Sequence, residues 1–203
     1  MRIVSGYAGG IRLEVPRDDA IRPTEDKVKE SLFATLGDLR GLRVLDLYSG
    51  TGALGLEALS RGASSVVAVE ADRRHAAVIE RNRQAVLKAM GRYAEGVRHR
   101  LMVCDARSAV RQLQAASFDL ILADPPYHAA PGQYGGRELL LDAAAAQTAA
   151  PGALLMLEHA TETVNLPWAP TEGCRWQLLR ERSFGIRTIA FARLTEPSTE
   201  EEK

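Results

Sequence analysis

Residues 43–55, RVLDLYSGTGALG, give the strongest indication of how this chain folds. An apolar run typical of a buried strand ends at a cluster of serine, glycine and threonine, and a helix pattern follows it. Gly50, Gly52 and Gly55 match the spacing G-x-G-x-x-G. Between a strand and a helix, such glycines permit a tight turn and let the backbone approach a ligand closely. The stretch therefore predicts a cofactor-binding loop in an α/β fold.

Strand and helix patterns alternate from residue 43 onward. Strands are predicted over 43–48, 65–70, 100–104, 118–123 and 153–158, and helices from the glycine loop to about 61 and over 72–90, 106–115 and 137–149. This alternation favours a parallel sheet covered by helices on both faces. Two segments of alternating apolar residues around Gly185 predict a hairpin over 176–193. Short strands are expected over 1–22, followed by a helix with Thr24 as its N-cap.

The fourth predicted strand ends in an unusual way, in the stretch FDLILADPPY over residues 118–127. Two consecutive prolines have no backbone N–H, so they end the strand and leave nearby carbonyls free to accept hydrogen bonds. A carboxylate, rigid carbonyls and a flat ring suit a planar group that carries an NH2, such as the edge of a nucleobase. The predicted catalytic residues are Asp124, Pro125, Pro126 and Tyr127. A plain Pro-Pro turn is the alternative, and the upstream glycine loop argues against it.

The acidic residues around the glycine loop indicate the kind of cofactor. Glu70 lies 18 positions after Gly52, a distance suited to an acid that binds ribose hydroxyls. Asp46 would repel a pyrophosphate but attract an amine, and Asp105 follows the third strand, where it can reach a purine edge. S-adenosylmethionine matches these features better than NAD, although an NAD-dependent oxidoreductase remains an alternative. The predicted cofactor-binding residues are Asp46, Tyr48, Ser49, Gly50, Thr51, Gly52, Glu70, Ala71, Asp105 and Ala106.

The composition sets the remaining limits. Among 203 residues, Lys and Arg (26) balance Asp and Glu (26), so overall charge gives no support for nucleic-acid binding. No apolar run approaches the ~18 residues of a membrane span, and no signal peptide is indicated. Cys104 and Cys174 lack the spacing of a metal site, so we expect no metal and a cytoplasmic location. We predict one domain over 1–194, with an N-terminal extension over 1–40 and a disordered acidic tail over 195–203.

Several motifs together resemble a known family. Residues 44–52 resemble the first motif of class I S-adenosylmethionine-dependent methyltransferases, and residues 124–127 are similar to the (D/N/S)-P-P-(Y/F) signature of amino methyltransferases that modify nucleobases. More narrowly, the chain resembles the bacterial RsmD-type family, which methylates a guanine N2 in 16S ribosomal RNA. That narrower resemblance rests on residues 2–6, Arg22-Pro23-Thr24 with Glu30 and Phe33, residues 55–63 and Phe184-Gly185, and it covers about residues 1–193.

The resemblance implies a class I methyltransferase fold, with a seven-stranded mainly parallel sheet, helices on both faces and a small N-terminal β extension plus helix. It implies S-adenosylmethionine as cofactor and 16S ribosomal RNA, the small ribosomal subunit or an assembly intermediate as partner, with the enzyme a monomer. The expected substrate-binding residues are Arg22, Pro23, Thr24 and Arg187. Two alternatives stay open: an adenine-N6 methyltransferase of DNA or RNA, and a non-catalytic RNA-binding or assembly protein with the same fold.

Overall fold

The structure, a computed structural model, describes residues 1–16, 26–126, 133–162, 165–169 and 171–195. Predictions for Arg22, Pro23, Thr24, Tyr127 and nearly all of the acidic tail lie outside these residues. The chain forms two compact units, Met1–Ala109 and Val110–Lys203. Compact units are not in themselves independent folding domains, so the single domain over 1–194 stays a prediction.

The first unit contains a parallel three-stranded segment of sheet. Its elements are α1 (Asp26–Leu36), β1 (Arg43–Leu47), α2 (Ala53–Ser60), β2 (Ser65–Glu70), α3 (Arg73–Met90), a 3₁₀ turn (Gly91–Ala94) and β3 (Arg98–Val103). Helix α4 (Ala106–Gln112) contains the boundary between the two units. Strand β2 lies between β1 and β3 and pairs with both in parallel. The carboxyl ends of these three strands therefore lie at one edge, which is where the predicted cofactor residues follow them.

The apolar patterns explain these elements. Helix α1 buries Val28, Leu32, Phe33 and Leu36, which recur at helical spacing, and it ends where Gly37 takes a positive φ of 79°. Helix α2 is buried along all of its eight residues. It packs against strands β1 and β2, and the chain near Ala8 covers it as well. A helix that is buried on every side has no solvent face, so any polar residue in it needs a partner inside the protein.

The second unit contains β4 (Phe118–Ala123), α5 (Gly136–Leu141), α6 (Ala143–Thr148), β5 (Ala149–Ala160), β6 (Trp176–Phe184) and β7 (Arg187–Leu194). Strand β4 pairs in parallel with β5, and β7 pairs antiparallel with both β5 and β6. Strands β6 and β7 are the predicted hairpin, turning at Gly185 with a φ of 62°. The single helix predicted over 137–149 is wrong. Asp142 takes an extended ψ of 109° and caps α6 through the Ala144 amide at 2.9 Å, which splits the helix in two.

Within the described residues the strands are ordered β3-β2-β1-β4-β5-β7-β6 in a seven-stranded sheet, which confirms the predicted mainly parallel architecture. Of the strands predicted over 1–22, the described residues 1–16 form one isolated bridge, between Arg2 and Arg12. Residues there are held instead by α2, since Tyr7 donates to the Ser60 carbonyl at 2.7 Å and Ala8 to the Ser60 hydroxyl at 2.9 Å. No helix in the described ranges is long and apolar enough to cross a bilayer.

Candidate active site

The glycine loop lies at the carboxyl end of β1 and is tied to the end of β2. Gly50 donates its amide to Glu70 Oε2 at 2.8 Å, and Glu70 Oε1 accepts the Asp72 amide at 2.8 Å. A carboxylate offers about four acceptor positions, so these two bonds leave Glu70 able to accept hydroxyls as well. Tyr48, directly before the loop, has a φ of 58°, which is a strained conformation for an aromatic residue.

Asp46 lies below the loop in β1 and is 1% exposed. Its Oδ2 accepts the amide of Gly55 in the first turn of α2 at 3.1 Å. Burial raises the pKa of Asp46 to about 7, and the charge of Glu70 acts in the same direction, whereas the Gly55 hydrogen bond opposes the shift. Asp46 therefore anchors the start of α2 and changes its protonation near neutral pH.

The three glycine amides of the loop all have acceptors inside the protein, and these acceptors indicate what kind of ligand the loop fits. The amides of Gly50, Gly52 and Gly55 donate to Glu70 Oε2, the Ser49 carbonyl and Asp46 Oδ2 at 2.8, 2.7 and 3.1 Å. In a phosphate-binding loop such amides face the anion. Here two of the three acceptors are carboxyl groups, which would repel a pyrophosphate when ionised. The loop therefore fits a nucleoside without phosphate better than a dinucleotide.

The third glycine of the motif serves packing rather than ligand approach. A Cβ at Gly55 would lie 2.8 Å from Asp46 Oδ2 and 2.9 Å from Val66 Cγ1. Glycine to alanine normally stabilises a helix by about 1 kcal/mol. At this position we expect Gly55→Ala to destabilise the protein by about 1–3 kcal/mol instead, because the new methyl group overlaps buried atoms.

Urea unfolding checks this prediction, with Gly136→Ala as the matched control. Gly136 also lies in a helix, α5, and a Cβ added there would lie 3.4 Å from Leu157, which is an ordinary van der Waals contact. Gly136→Ala should leave the free energy of unfolding unchanged or raise it. Equal midpoints for the two variants would contradict the packing role of Gly55.

The raised pKa of Asp46 gives a prediction for stability against pH. Between about pH 4 and pH 7 the native state keeps a proton that the unfolded state has already released, so stability falls as the pH rises across this range. The contribution of the protonated Asp46 to stability is complete below pH 4 and is lost as the pH rises through about 7. Asp46→Asn removes this dependence. The free energy of unfolding of this variant should be higher than that of wild type by roughly 1–3 kcal/mol between about pH 5 and pH 8. Asp38 is the control for the urea titrations, since its pKa of about 2 lies outside that range and Asp38→Asn should leave the slope unchanged.

The end of β3 carries the third part of the predicted donor site. Asp105 is exposed and accepts the Ser108 amide at 2.9 Å and the Ser108 hydroxyl at 2.7 Å. These hydrogen bonds lower the pKa of Asp105, so it is ionised at neutral pH and able to accept from an amino group. Ala106 is buried at the start of α4, and Ala71 is exposed after β2. Within the first unit, the residues predicted to bind the cofactor thus lie at or just after the carboxyl ends of β1, β2 and β3.

The predicted catalytic residues follow β4 in the second unit. Strand β4 is buried from Leu120 to Ala123, Asp124 is partly exposed, Pro125 is buried and Pro126 is exposed. The strand ends at Ala123, directly before the Asp-Pro-Pro sequence, as predicted. The chain therefore leaves the sheet at the partly exposed Asp124.

Arg187, a predicted substrate residue, lies at the start of β7 and already has an acidic partner. Its Nη1 lies 3.5 Å from Glu158 Oε1, and the two side chains are 14% and 2% exposed. Pairing leaves less of its charge for a phosphate group. Its part in substrate binding stays a prediction.

Glu57, which was not predicted from the sequence, holds the backbone at Val4 and Ser5. Its Oε2 accepts the Val4 amide at 2.7 Å and Lys29 Nζ at 3.4 Å, and its Oε1 accepts the Ser5 amide and Arg61 Nε, both at 3.0 Å. Glu57 is fully buried. The available signal was an acid inside an otherwise apolar helix, because a buried charge requires partners.

The described part of the chain also contains a cleft of ≈ 400 Å³ in the first unit, lined among others by Arg40, Tyr7 and Tyr93. The rings of Tyr7 and Tyr93 stack with their centroids 4.1 Å apart. None of the predicted site residues that the structure describes lines this cleft. Within the same described ranges, no group of three or more His, Cys, Asp and Glu side chains is arranged to hold a metal ion.

Comparison with known proteins identifies the family. The family described as "Conserved hypothetical protein 95" matches residues 1–193. The chain belongs to this family. The solved structure of "Putative methyltransferase yhhF" from Escherichia coli is 31% identical and has a TM-score of 0.75, with 96% of this chain and 98% of that chain covered. This member of the conserved hypothetical protein 95 family therefore has the class I methyltransferase fold predicted from its motifs.

Two further proteins resemble the chain, one in sequence and one in fold. "Ribosomal RNA small subunit methyltransferase D" from Haemophilus influenzae is 35% identical over 130 residues, which are 63% of this chain and 64% of that protein. The chain thus spans somewhat less than two thirds of the length of this curated relative. SMU.776, solved in complex with SAH, is 15% identical, covers 83% of this chain and 49% of that one, and has a TM-score of 0.62. At that identity it shows a shared fold alone.

Proposed function

We propose that this protein transfers a methyl group from S-adenosylmethionine to the exocyclic N2 amine of a guanine in 16S ribosomal RNA. The observation that carries the proposal is the glycine loop, whose amides are taken up by Glu70, Ser49 and Asp46. Such a loop suits a nucleoside cofactor that has no phosphate. Family membership and the relative named as a small-subunit ribosomal RNA methyltransferase support the choice of reaction and substrate.

The donor side of the reaction belongs to the first unit. Bound S-adenosylmethionine supplies a methyl group activated by a positively charged sulfur. Glu70 has acceptor capacity left for ribose hydroxyls, and Asp105 is exposed and ionised for an adenine amino group. Asp46 can balance the ammonium of the cofactor, directly or through water, once it has lost its proton.

The acceptor side belongs to Asp124 and Pro125. An exocyclic nitrogen is a poor nucleophile, because its lone pair is delocalised into the ring. Asp124 would accept one N–H and the carbonyl of Pro125 the other, which favours a pyramidal nitrogen and stabilises the positive charge that develops on it. Tyr127 would stack on the base, a contact worth about 1–3 kcal/mol. The base has to leave its stack or be presented unpaired.

The proposed substrate sets the expected setting of the enzyme. A ribosomal RNA substrate implies action in the cytoplasm on naked RNA, an assembly intermediate or the small subunit. The oligomeric state is predicted to be a monomer. Binding of RNA through Arg22, Pro23, Thr24 and Arg187 is part of the same proposal.

Two titrations and one transfer assay test the class of function. S-adenosylmethionine and its product SAH should bind the protein, whereas NAD should not, because the three glycine amides of the loop already have acceptors and two of these are carboxyl groups. Tritiated methyl groups should then pass from the donor to ribosomal RNA or subunits prepared from a strain that lacks this protein. Binding of NAD alone would favour an oxidoreductase. Donor binding without any transfer to RNA or subunits would favour a non-catalytic assembly protein.

A further inference from the structure

Asn82 joins the glycine loop to the N-terminal segment, defined here as residues 11–16. It lies in α3 and is 2% exposed. Its Oδ1 accepts the Glu14 amide at 2.7 Å, and its Nδ2 donates to the Glu14 carbonyl at 3.0 Å and to the Thr51 carbonyl at 2.9 Å. Both amide hydrogens of this side chain are therefore used, one for each of two segments far apart in sequence.

The two segments that Asn82 joins belong to different parts of the proposed reaction. Thr51 is the central residue of the glycine loop, between Gly50, which is bonded to Glu70, and Gly52 at the start of α2. Glu14 belongs to the N-terminal extension over 1–40, whose sequence includes three of the four predicted RNA-binding residues. Asn82 is the shared partner of both, and a buried amide that loses one of these bonds leaves an unpaired polar group.

We propose that Asn82 is a positioning residue that transmits occupancy of the donor site to the N-terminal segment. Because the donor contacts the glycine loop, its binding fixes the Thr51 carbonyl and with it the Asn82 side chain. A fixed side chain then holds the Glu14 backbone more firmly. By linkage, an RNA that orders the N-terminal segment strengthens donor binding by the same factor. This inference rests on the proposed donor site.

Contacts elsewhere along the same elements allow a matched control. The Glu14 side chain forms an exposed ion pair with Arg81 at 2.7 Å, with the side chains 59% and 52% exposed. Glu14→Ala removes this ion pair and keeps the backbone bonds to Asn82. Exposed ion pairs contribute little, so this variant should behave as wild type does.

Amide hydrogen exchange of the N-terminal segment, with and without saturating SAH, tests the proposal. In wild type and in Glu14→Ala, SAH should slow exchange over residues 11–16 by about 5-fold or more. In Asn82→Ala the slowing should disappear, while SAH still binds, about 5- to 100-fold more weakly. A residue with a merely structural role would lower the melting temperature without removing the ligand-dependent difference. If Asn82→Ala does not fold, Asn82→Asp serves, since an ionised aspartate keeps the acceptor for the Glu14 amide and loses the donor to the carbonyls of both Thr51 and Glu14.

The outcomes separate this inference from the proposed function. SAH that binds to wild type without slowing exchange over residues 11–16 overturns the coupling and leaves the donor site standing. Ligand-dependent slowing that persists in the Asn82 variants also overturns it. Failure of SAH to bind wild type at all would remove the donor site and the coupling together.

Discussion

Replacing Asp124 with alanine should lower the rate of methyl transfer by about 10²–10³-fold or more while leaving donor affinity nearly unchanged. The expected loss is large because Asp124 would be the carboxylate that meets the charge developing on the amine nitrogen. The affinity for the methyl donor should be kept, because the residues proposed to bind it lie at or after the ends of β1, β2 and β3 in the first unit. Single-turnover rates with tritiated donor, together with SAH titrations, measure the two quantities separately.

The matched control for Asp124 is Asp119 in the same strand, β4. Asp119 precedes the Asp-Pro-Pro sequence by five positions and has no proposed contact with the base. Asp119→Ala should change the transfer rate by no more than about 3-fold, provided that its melting temperature stays close to that of wild type. Equal loss of transfer and of SAH binding in Asp124→Ala would contradict the assigned role.

Replacing Glu57 with alanine should have the largest effect on stability, about 3–5 kcal/mol of unfolding free energy. The substitution removes four hydrogen-bonding or ionic contacts at once and leaves the Lys29 ammonium buried without its carboxylate. Lys29 is itself fully buried, and burial lowers its pKa. In a chain of this size, such a loss corresponds to a fall in melting temperature of roughly 6–20 °C.

Two variants check the cause of that loss. Asp26→Ala breaks the exposed ion pair between Arg2 and Asp26, whose side chains are 56% and 35% exposed, and should cost no more than about 1 kcal/mol. Lys29→Met should cost less than Glu57→Ala, because Glu57 then keeps the amides of Val4 and Ser5 and the guanidinium of Arg61. A cost for Glu57→Ala as small as that of Asp26→Ala would contradict the account of this buried cluster.

The bounds of strands were predictable from the sequence where the residue types change abruptly at the ends of the strand. Strands β2 and β4 have the predicted bounds, because serine opens β2 and an Asp-Pro-Pro sequence closes β4. The helix over 137–149 could not be predicted correctly from apolar spacing alone. Asp142 competes for a backbone amide and starts a second helix there, and its preference for a cap outweighs continuity of the pattern.

Contacts around the candidate site were predictable where they follow the chain locally and not where they depend on distant residues. The glycine loop and Glu70 follow from the spacing of one strand, one loop and the next strand. Glu57 binds the amides of Val4 and Ser5, which lie 53 and 52 positions away in the sequence. Asn82 binds Glu14 and Thr51, which lie 68 and 31 positions away. No local pattern indicates such partners. The internal use of the loop amides, which favours S-adenosylmethionine over NAD, likewise appears only in three dimensions.

The most direct test of the central claim is the identity of the modified nucleoside. Donor with a deuterated methyl group is incubated with the wild-type protein and with small-subunit ribosomal RNA or subunits from a strain that lacks it, and the digested nucleosides are resolved by mass. The account predicts the label in N2-methylguanosine, and its absence when Asp124→Ala replaces the wild-type protein. Label in N6-methyladenosine, or in no nucleoside at all, would contradict it.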